Sequence, residues 1–152
     1  MARERGEKII AANRKARHDY FIEDTYEAGL VLHGTEVKSM RQGRVALKES
    51  YCAVKEREMF AFGMHISPYE KGNIFNRDPM RPKKLLLHRA QITRLESLAQ
   101  RQGYALVPLK VYIKDGRMKM ELGLCKGKKL YDKRDDAAER TAQRDMERAM
   151  KQ

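Results

Sequence analysis

Several residue types are scarce in this chain of 152 residues, and each shortage excludes a class of protein. The only two cysteines, Cys52 and Cys125, have no C-x-x-C spacing, so neither a disulfide framework nor a zinc site is expected. We predict that both are buried as small apolar groups. Apolar stretches such as MFAFGM are far too short to span a bilayer, and the amino terminus lacks the apolar segment of a secretory signal. These absences predict a cytoplasmic protein that enters no membrane.

Catalytic and metal-binding motifs are also missing. The four histidines are His18, His33, His65 and His88. None of them stands in an H-x-x-x-H or H-x-E pairing, and the sequence has no G-x-S-x-G, no P-loop and no G-x-G-x-x-G after a strand. Of the neighbouring carboxylates, only Glu23 and Glu27 share a strand face, so the metal centre of a nuclease is not expected. The sequence therefore predicts a protein that is not an enzyme and needs no metal or cofactor.

What the chain does have is an excess of positive charge. The formal net charge is +12 and the isoelectric point about 9.8, which indicates a polyanionic partner, either nucleic acid or an anionic membrane face. Residues 130–152 contain six basic and six acidic side chains and so carry no net charge. The whole excess lies on residues 1–129, and the final segment needs a separate explanation.

The hydrophobic pattern divides the chain into a basic arm, a β-rich body and a charged tail. Residues 1–17 hold six Lys or Arg against two Glu, which predicts an arm that stays mobile until it meets a partner. From His18 the apolar positions recur every second residue, which predicts a strand. A short helix is predicted between Gly34 and Gly43, with Thr35 as its N-cap. The predicted body spans residues 18–129, and the tail is the neutral segment that follows.

The next part of the body predicts a pair of strands. Apolar residues alternate around Cys52 and again from Phe60 to Ile66, with the polar sequence KERE as a turn between the two runs. Phe60 and Phe62 are expected to face the core. Gly63 interrupts the second run and predicts a bulge or a tight bend.

A loop, a helix and a hairpin complete the predicted body. Residues 67–83 contain three prolines and predict a long loop, and residues 85–103 have the apolar spacing of a helix that a glycine ends. The hairpin over residues 104–127 is the clearest element, because apolar positions alternate on both sides of an Asp-Gly turn. These positions are Val107, Leu109, Val111, Ile113, Met118, Met120, Leu122 and Leu124. Antiparallel strands with intercalated helices predict a small closed or nearly closed barrel, which commonly offers one polar strand face to oligonucleotides.

Four cationic clusters lie on this body, with the sequences NRKARH, KSMRQGR, RPKK and KGKK. One such cluster is most often just a solvated surface, but four on one small domain favour contact with phosphate groups. The residues of these clusters that we assign to RNA binding are Arg14, Lys15, Arg17, His18, Lys38, Arg41, Lys84, Lys126, Gly127, Lys128 and Lys129.

Four motifs, YEAG, GTEVKS, KLLL and GKK-x-YDKR, occur in a fixed order from about residue 12 to the end of the chain. In this combination they resemble the small protein B family, bacterial proteins that accompany transfer-messenger RNA in ribosome rescue. The resemblance implies a mainly β fold: a small antiparallel barrel of the oligonucleotide-binding type with two to three flanking helices and a flexible C-terminal tail. It also implies binding to the transfer-RNA-like domain of that RNA and its delivery to stalled ribosomes. The alternative is a general single-stranded RNA-binding or ribosomal protein on the same barrel.

The resemblance adds RNA contacts that the residues alone do not single out. It assigns Asn13, Glu27, Leu86 and Lys119 to the contact surface, together with the KGKK loop. A carboxylate such as that of Glu27 repels phosphate, but it accepts hydrogen bonds from base or sugar donors and so favours one RNA shape.

Two residues depart from the family pattern. Lys83 stands where the family often has arginine, which predicts that one phosphate contact loses its bidentate geometry. Cys125 stands where a small apolar residue is common, and no functional change is expected there.

The resemblance also assigns the tail, residues 130–152, a function on the ribosome. It implies a segment that is disordered in the free protein and helical in the empty messenger channel of a stalled ribosome, with Tyr131 stacked at the decoding centre. A row of arginines spaced four apart disfavours the isolated helix by ~0.2–0.5 kcal/mol per pair and favours an anionic groove. The residues assigned to ribosome binding are Tyr131, Asp132, Lys133, Arg134, Arg140, Arg144 and Arg148. Elongation factor Tu, bound to the charged RNA, is a further expected partner.

Overall fold

The computed structural model describes residues 7–72, 76–101 and 103–128. These residues form nine strands and three helices. In chain order they are β1 (Glu7–Ala12), α1 (Arg14–Asp19), β2 (Tyr20–Leu30), α2 (Gly34–Arg41), β3 (Val45–Ala46), β4 (Tyr51–Lys55), β5 (Glu58–Phe62), β6 (His65–Ile66), β7 (Lys83–Leu86), α3 (Arg89–Ala99), β8 (Tyr104–Lys114) and β9 (Arg117–Gly127). The predicted tail lies outside the described residues.

Six of the strands close into an antiparallel barrel. Their order is β8-β4-β5-β7-β2-β9, and β9 pairs again with β8 to complete the ring. β4 pairs with β8 through Cys52 and Leu106, and β1 pairs with the part of β8 from Lys110 to Lys114. The strands β3 and β6 form a separate two-stranded sheet. The predicted mainly β fold, a small antiparallel barrel with flanking helices, is confirmed.

The barrel interior is filled by apolar side chains from all six strands, and Leu95 of α3 is buried with them. The β8–β9 hairpin supplies much of this core, and its turn residues Asp115 and Gly116 have φ angles of 52° and 77°, as a tight two-residue turn requires. Lys114 pairs with Arg117 on either side of that turn, so the predicted hairpin is confirmed. Both cysteines are buried, also as predicted, and burial raises the pKa of the Cys125 thiol to about 11.

Two bulges move side chains from one face of the sheet to the other. The register of β2 shifts at Glu23 and that of β8 shifts at Leu109, each by one extra residue. Leu109 and Cys125 therefore lie in a second, smaller core beneath Ala16 of α1, rather than inside the barrel. The prediction of one uninterrupted buried face along each of these strands was wrong, because a bulge inverts the alternation.

The facing of β5 also differs from the prediction. Met59 and Ala61 are fully buried, whereas Phe60 and Phe62 lie on the outer face of the barrel. The alternation changes at Gly63, whose φ of +72° few other residues adopt, and Met64 beyond it is buried. The bulge or bend predicted at this glycine explains why the buried side chains change from odd-numbered to even-numbered positions within this segment.

The predicted mobile arm is also corrected. Residues 7–12 form β1, which binds the edge of β8 beyond the end of β4, and residues 14–19 form α1. Backbone pairing at this free edge orders a segment that has few large apolar side chains of its own. As a result, the strand predicted from His18 begins at Tyr20, while residues 1–6 lie outside the described ranges.

Two further predictions near the helices need correction. Residues Lys83–Leu86 form β7 and not the start of a helix, because they pair with both β5 and β2. The helix α2 is confirmed, but its N-cap is His33 instead of Thr35. The Glu36 carboxylate accepts a hydrogen bond from the His33 backbone N–H at 2.9 Å and so stabilises this helix start.

Lys83 does not contact phosphate, because it is fully buried at the start of β7. Its ammonium donates to the carbonyl oxygens of Met64 at 2.6 Å and Pro79 at 2.9 Å. The ion pair between Arg81 and Glu36 lies in the same region, at 2.6 Å. Lys83 therefore fastens the proline-containing loop to the barrel, and the phosphate contact predicted for it is wrong.

Burial lowers the pKa of Lys83 to about 8, and this predicts a pH-dependent stability. Between that value and about 10.5, the unfolded chain binds the proton more strongly, so the free energy of unfolding rises with pH in this window. Relative to Lys83→Met, which cannot titrate, the wild-type protein should gain at most about 3 kcal/mol. Urea unfolding of both proteins from pH 7 to pH 10 measures the difference, and parallel pH profiles would contradict the assignment.

Candidate nucleic-acid interface

A row of outward-facing residues crosses five strands of the sheet. Gly29 of β2 lies opposite Leu86 of β7 and Lys119 of β9, Lys119 lies opposite Tyr112 of β8, and Tyr112 lies opposite Ile9 of β1. Directly opposed residues of antiparallel strands share a face. The row spans roughly 20 Å at the usual strand spacing, and it brings together Leu86 and Lys119, which are 33 positions apart in the sequence.

Gly29 lies between Leu86 and Lys119 in this row and leaves the space beside Leu86 open. A Cβ atom at this position would lie 3.2 Å from the Cβ of Leu86, closer than most side chains approach. Leu86, at the β7 end of the row, is 54% exposed, an unusual environment for a leucine in a strand. A flat apolar spot beside the Lys119 ammonium can receive a sugar or base face together with its phosphate.

Glu27 extends the same face, two residues before Gly29. Its Oε2 accepts a hydrogen bond from the Tyr112 hydroxyl at 2.6 Å and another from the Lys114 ammonium at 3.3 Å. The hydrogen bond from Tyr112, with help from Lys114, holds the pKa of Glu27 below its usual value, so the carboxylate is ionised at neutral pH. We call Glu27, Gly29, Leu86, Tyr112, Lys114 and Lys119 the sheet platform.

A second group of predicted residues meets where α1 ends beside the last residues of β9. The Lys128 backbone N–H donates to the Asp19 carbonyl at 2.9 Å, which joins the KGKK segment to the end of the helix. The Lys128 ammonium also lies 4.7 Å from the ring centroid of Phe21, a half-exposed aromatic. We call this group the α1 cluster, and its members are Arg14, Lys15, Arg17, His18, Lys126, Gly127 and Lys128. Lys129 lies outside the described residues.

Charge partners already occupy part of the α1 cluster. Lys15 forms an ion pair with Glu49, and the His18 imidazole lies 2.9 Å from the Asp19 carboxylate. The Lys15–Glu49 contact is exposed, so an approaching phosphate can compete for the Lys15 ammonium at little cost. The cluster lies beside the start of β2 and the sheet platform near its end, roughly 20–25 Å apart along that strand.

Asn13 is not a surface residue, in contrast to the prediction. Its side chain is 5% exposed and forms the N-cap of α1, where its Oδ1 accepts from the Ala16 backbone N–H at 3.1 Å. Its Nδ2 donates to the carbonyl oxygens of Pro108 at 2.9 Å and Leu47 at 3.3 Å. With all three contacts made inside the protein, Asn13 fixes α1 on the barrel and does not present its amide to a ligand.

Of the remaining predicted residues, Lys38 and Arg41 lie apart from both surfaces, whereas Lys84 lies beside the sheet platform. Lys38 and Arg41 belong to α2, where the Lys38 ammonium lies 5.5 Å from the Tyr69 ring centroid. Lys84 is close to Leu86 on β7, but it forms an ion pair with Glu58.

Sequence reasoning missed Tyr112 and Lys114. The signal that finds them is the alternation in KVYIK, which places Lys110, Tyr112 and Lys114 on one face as a basic stripe with an aromatic ring between the cations. The structure shows that stripe on the outer face of β8, with the Lys110 ammonium 5.3 Å from the Tyr112 ring centroid.

The described residues contain neither a metal site nor a membrane-spanning helix. No three His, Cys, Asp or Glu side chains of the described residues come together as a metal site requires. Within those ranges, no helix combines the length and hydrophobicity needed to cross a membrane.

A closed antiparallel barrel with cations, an exposed leucine and an ionised acceptor on one outer face defines a class, the barrel-type nucleic-acid-binding proteins. The family model described as SmpB protein matches residues 10–152. The chain therefore belongs to the SmpB family, a family of RNA-binding proteins, and the resemblance drawn from the motifs is confirmed.

Similar proteins cover nearly the whole chain. The SsrA-binding protein of Acetivibrio thermocellus is 61% identical over 152 residues, which is 100% of this chain and 98% of that protein. The SsrA-binding protein of Ruminiclostridium cellulolyticum is 62% identical over 145 residues, covering 95% of this chain and 94% of that one. A chain from the solved structure described as "tmRNA-SmpB: a journey to the center of the bacterial ribosome" is 47% identical, with a TM-score of 0.67 over 79% of this chain and 85% of that chain.

Proposed function

We propose that this protein binds the transfer-RNA-like domain of transfer-messenger RNA and delivers that RNA to stalled ribosomes for trans-translation. Its family, the names of its relatives and the ribosomal context of its structural neighbour support this function. The observation that carries the proposal is the sheet platform, because Glu27, Leu86 and Lys119 come from three different strands and meet on one outer face. The protein acts in the cytoplasm as an adaptor and not as an enzyme.

Two kinds of contact contribute to RNA binding. Lys119 and the cations of the α1 cluster contact phosphate groups, which supplies affinity that depends on salt. Leu86 packs against a sugar or base face, and Glu27 accepts a hydrogen bond that a phosphate cannot donate. Because the surfaces lie roughly 20–25 Å apart, a folded RNA such as a transfer-RNA-like domain can contact both at once.

The tail acts on the ribosome. Tyr131 stacks at the decoding centre, and the basic residues around and beyond it contact RNA in the messenger channel. All of these residues lie outside the described residues, so the proposal for them rests on their match to the YDKR motif and on the charge pattern. Elongation factor Tu, bound to the charged RNA, is the remaining proposed partner.

Replacing Lys119 by methionine should weaken the binding of transfer-messenger RNA and of ordinary transfer RNA by similar factors. Methionine keeps the apolar stem but removes the charge that meets a phosphate. The slope of log K against log salt should become shallower by about 0.7–0.9, the contribution of one phosphate contact. Lys55→Met is the matched control, because Lys55 is an exposed lysine of β4 outside both surfaces. An unchanged slope for Lys119→Met would remove this residue from the phosphate contacts.

A further inference from the structure

One oxygen of the Glu27 carboxylate is held by the protein and the other is left available. The hydrogen bonds from Tyr112 and Lys114 both end on Oε2. No hydrogen bond from the described residues reaches Oε1. A glutamate on an exposed strand face ordinarily samples several rotamers, so two donors on the same oxygen restrict it to an orientation that it would not keep alone.

Tyr112 is suited to holding the Glu27 carboxylate because its ring is packed tightly. The residue is 6% exposed, although its strand face is the outer one. Its cross-strand neighbours are Ile9 and Lys119, and the Lys110 ammonium lies over the ring at 5.3 Å from the centroid. A tyrosine has few side-chain torsions, and packing on several sides fixes the direction of its hydroxyl.

We propose that Tyr112 is a positioning residue for RNA recognition: its hydroxyl holds Glu27 so that Oε1 faces outward and accepts a hydrogen bond from a ribose 2′-hydroxyl or a base N–H group. The inference rests on the proposed function. It adds that the discriminating group is set in place before the RNA arrives, so that little rotamer freedom is lost on binding. Tyr112 itself need not touch the RNA.

The charge of Glu27 makes this positioning necessary. A carboxylate in an otherwise basic surface repels any phosphate that approaches it, and it attracts only hydrogen-bond donors. A loosely held carboxylate would also pair with Lys119 and neutralise a cation that binds phosphate. When Tyr112 holds the Glu27 carboxylate, the surface favours an RNA whose shape places a hydrogen-bond donor at Oε1 and phosphate groups at the neighbouring lysines.

Tyr112→Phe tests the inference, because it removes only the hydroxyl and leaves the ring packed. We expect a threefold to tenfold loss of affinity for the transfer-RNA-like domain at near-physiological salt, with the salt slope and the melting temperature unchanged. Glu27→Ala should lose as much or more. In the Glu27→Ala background, Tyr112→Phe should have no further effect, since a positioning residue acts only through the group that it positions.

Tyr104→Phe is the matched control. The Tyr104 hydroxyl donates to the Glu23 carboxylate at 3.2 Å, so this variant removes the same type of hydrogen bond at a site away from the sheet platform. Its affinity should equal that of the wild-type protein.

The possible failures can be told apart. If wild-type protein discriminates the transfer-RNA-like domain from ordinary transfer RNA but Tyr112→Phe binds like wild type, the inference is overturned and the proposed function stands. Additive losses in the double variant overturn it too, since they assign Tyr112 a contact or a packing role of its own. If wild-type protein does not discriminate, the proposed function fails, and the inference fails with it.

Discussion

Replacing Tyr131, Lys133 and Arg134 together by alanine is expected to abolish peptide tagging on stalled ribosomes without weakening the binding of transfer-messenger RNA. In the proposed function the aromatic ring at this position stacks on a ribosomal base, an interaction worth ~1–3 kcal/mol, and the two cations contact phosphate groups beside it. Their combined loss should lower the yield of tagged peptide by roughly a hundredfold or more. The measurement is the fraction of peptide tagged in a reconstituted translation reaction on a message without a stop codon.

The reciprocal variant is the control for this experiment. Arg14→Ala with Arg17→Ala removes exposed cations of the α1 cluster. It should weaken RNA binding and impair tagging only at low protein concentration, because excess protein restores the complex. If the tail variant instead loses affinity for the isolated RNA, the division between an RNA-binding body and a ribosome-binding tail is contradicted.

The second large effect is expected for Asn13→Ala, although Asn13 is buried and presents no atom to the RNA. The substitution removes the N-cap of α1 and leaves the Pro108 carbonyl without its 2.9 Å donor. The two losses together should lower the free energy of unfolding by about 2–4 kcal/mol. Affinity for the RNA should fall as well, because α1 carries several cations of the α1 cluster and is no longer fixed on the barrel.

Asn13→Asp separates the two contributions. Aspartate keeps the acceptor that caps α1, but it places a carboxylate oxygen against the carbonyl oxygens of Pro108 and Leu47, where the amide donated. This variant should therefore be at least as unstable as the alanine variant. Chemical denaturation and RNA binding measured on the same samples test both expectations. Loss of affinity at unchanged stability would instead make Asn13 a direct RNA contact.

The sequence predicts those parts of the fold in which the local pattern and the long-range pairing agree. The β8–β9 hairpin is the best case, because alternation and the Asp115-Gly116 turn both specify it. The barrel also follows from the number of alternating runs. By contrast, β1 pairs because β8 continues beyond the end of β4, and no local signal reports that free edge. The strand β7 is short, and its leucines run directly into a helical pattern.

Bulges account for most of the errors in side-chain facing. The extra residues at Glu23 and Leu109 each move the following side chains to the opposite face of the sheet. Neither position is a glycine, so the sequence does not mark these bulges. Gly63 was identified as a point of irregularity, but the direction of the change could not be predicted. The sequence alone therefore predicts a core position for Phe60 and Phe62, because large aromatic side chains are usually buried.

The candidate site has the same division between local and long-range information. The basic runs NRKARH and KGKK are visible in the sequence as two separate clusters, and only the folded chain brings them together as the α1 cluster. Glu27, Leu86 and Lys119 are assigned by the resemblance, and the face that joins them depends on the register of three strands. The sequence does not distinguish Lys83 from its neighbour Lys84, yet Lys83 is fully buried and Lys84 is half-exposed.

The most direct test of the account is a salt series of wild-type binding to the transfer-RNA-like domain, with ordinary transfer RNA as the competitor. The preference for the transfer-RNA-like domain should persist near physiological salt, because Glu27 and Leu86 recognise features of the RNA that salt does not screen. Equal binding of both RNAs, with log K falling by roughly 0.9 per phosphate contact for each log unit of salt, would contradict it. That result would favour a general RNA-binding protein on the same barrel.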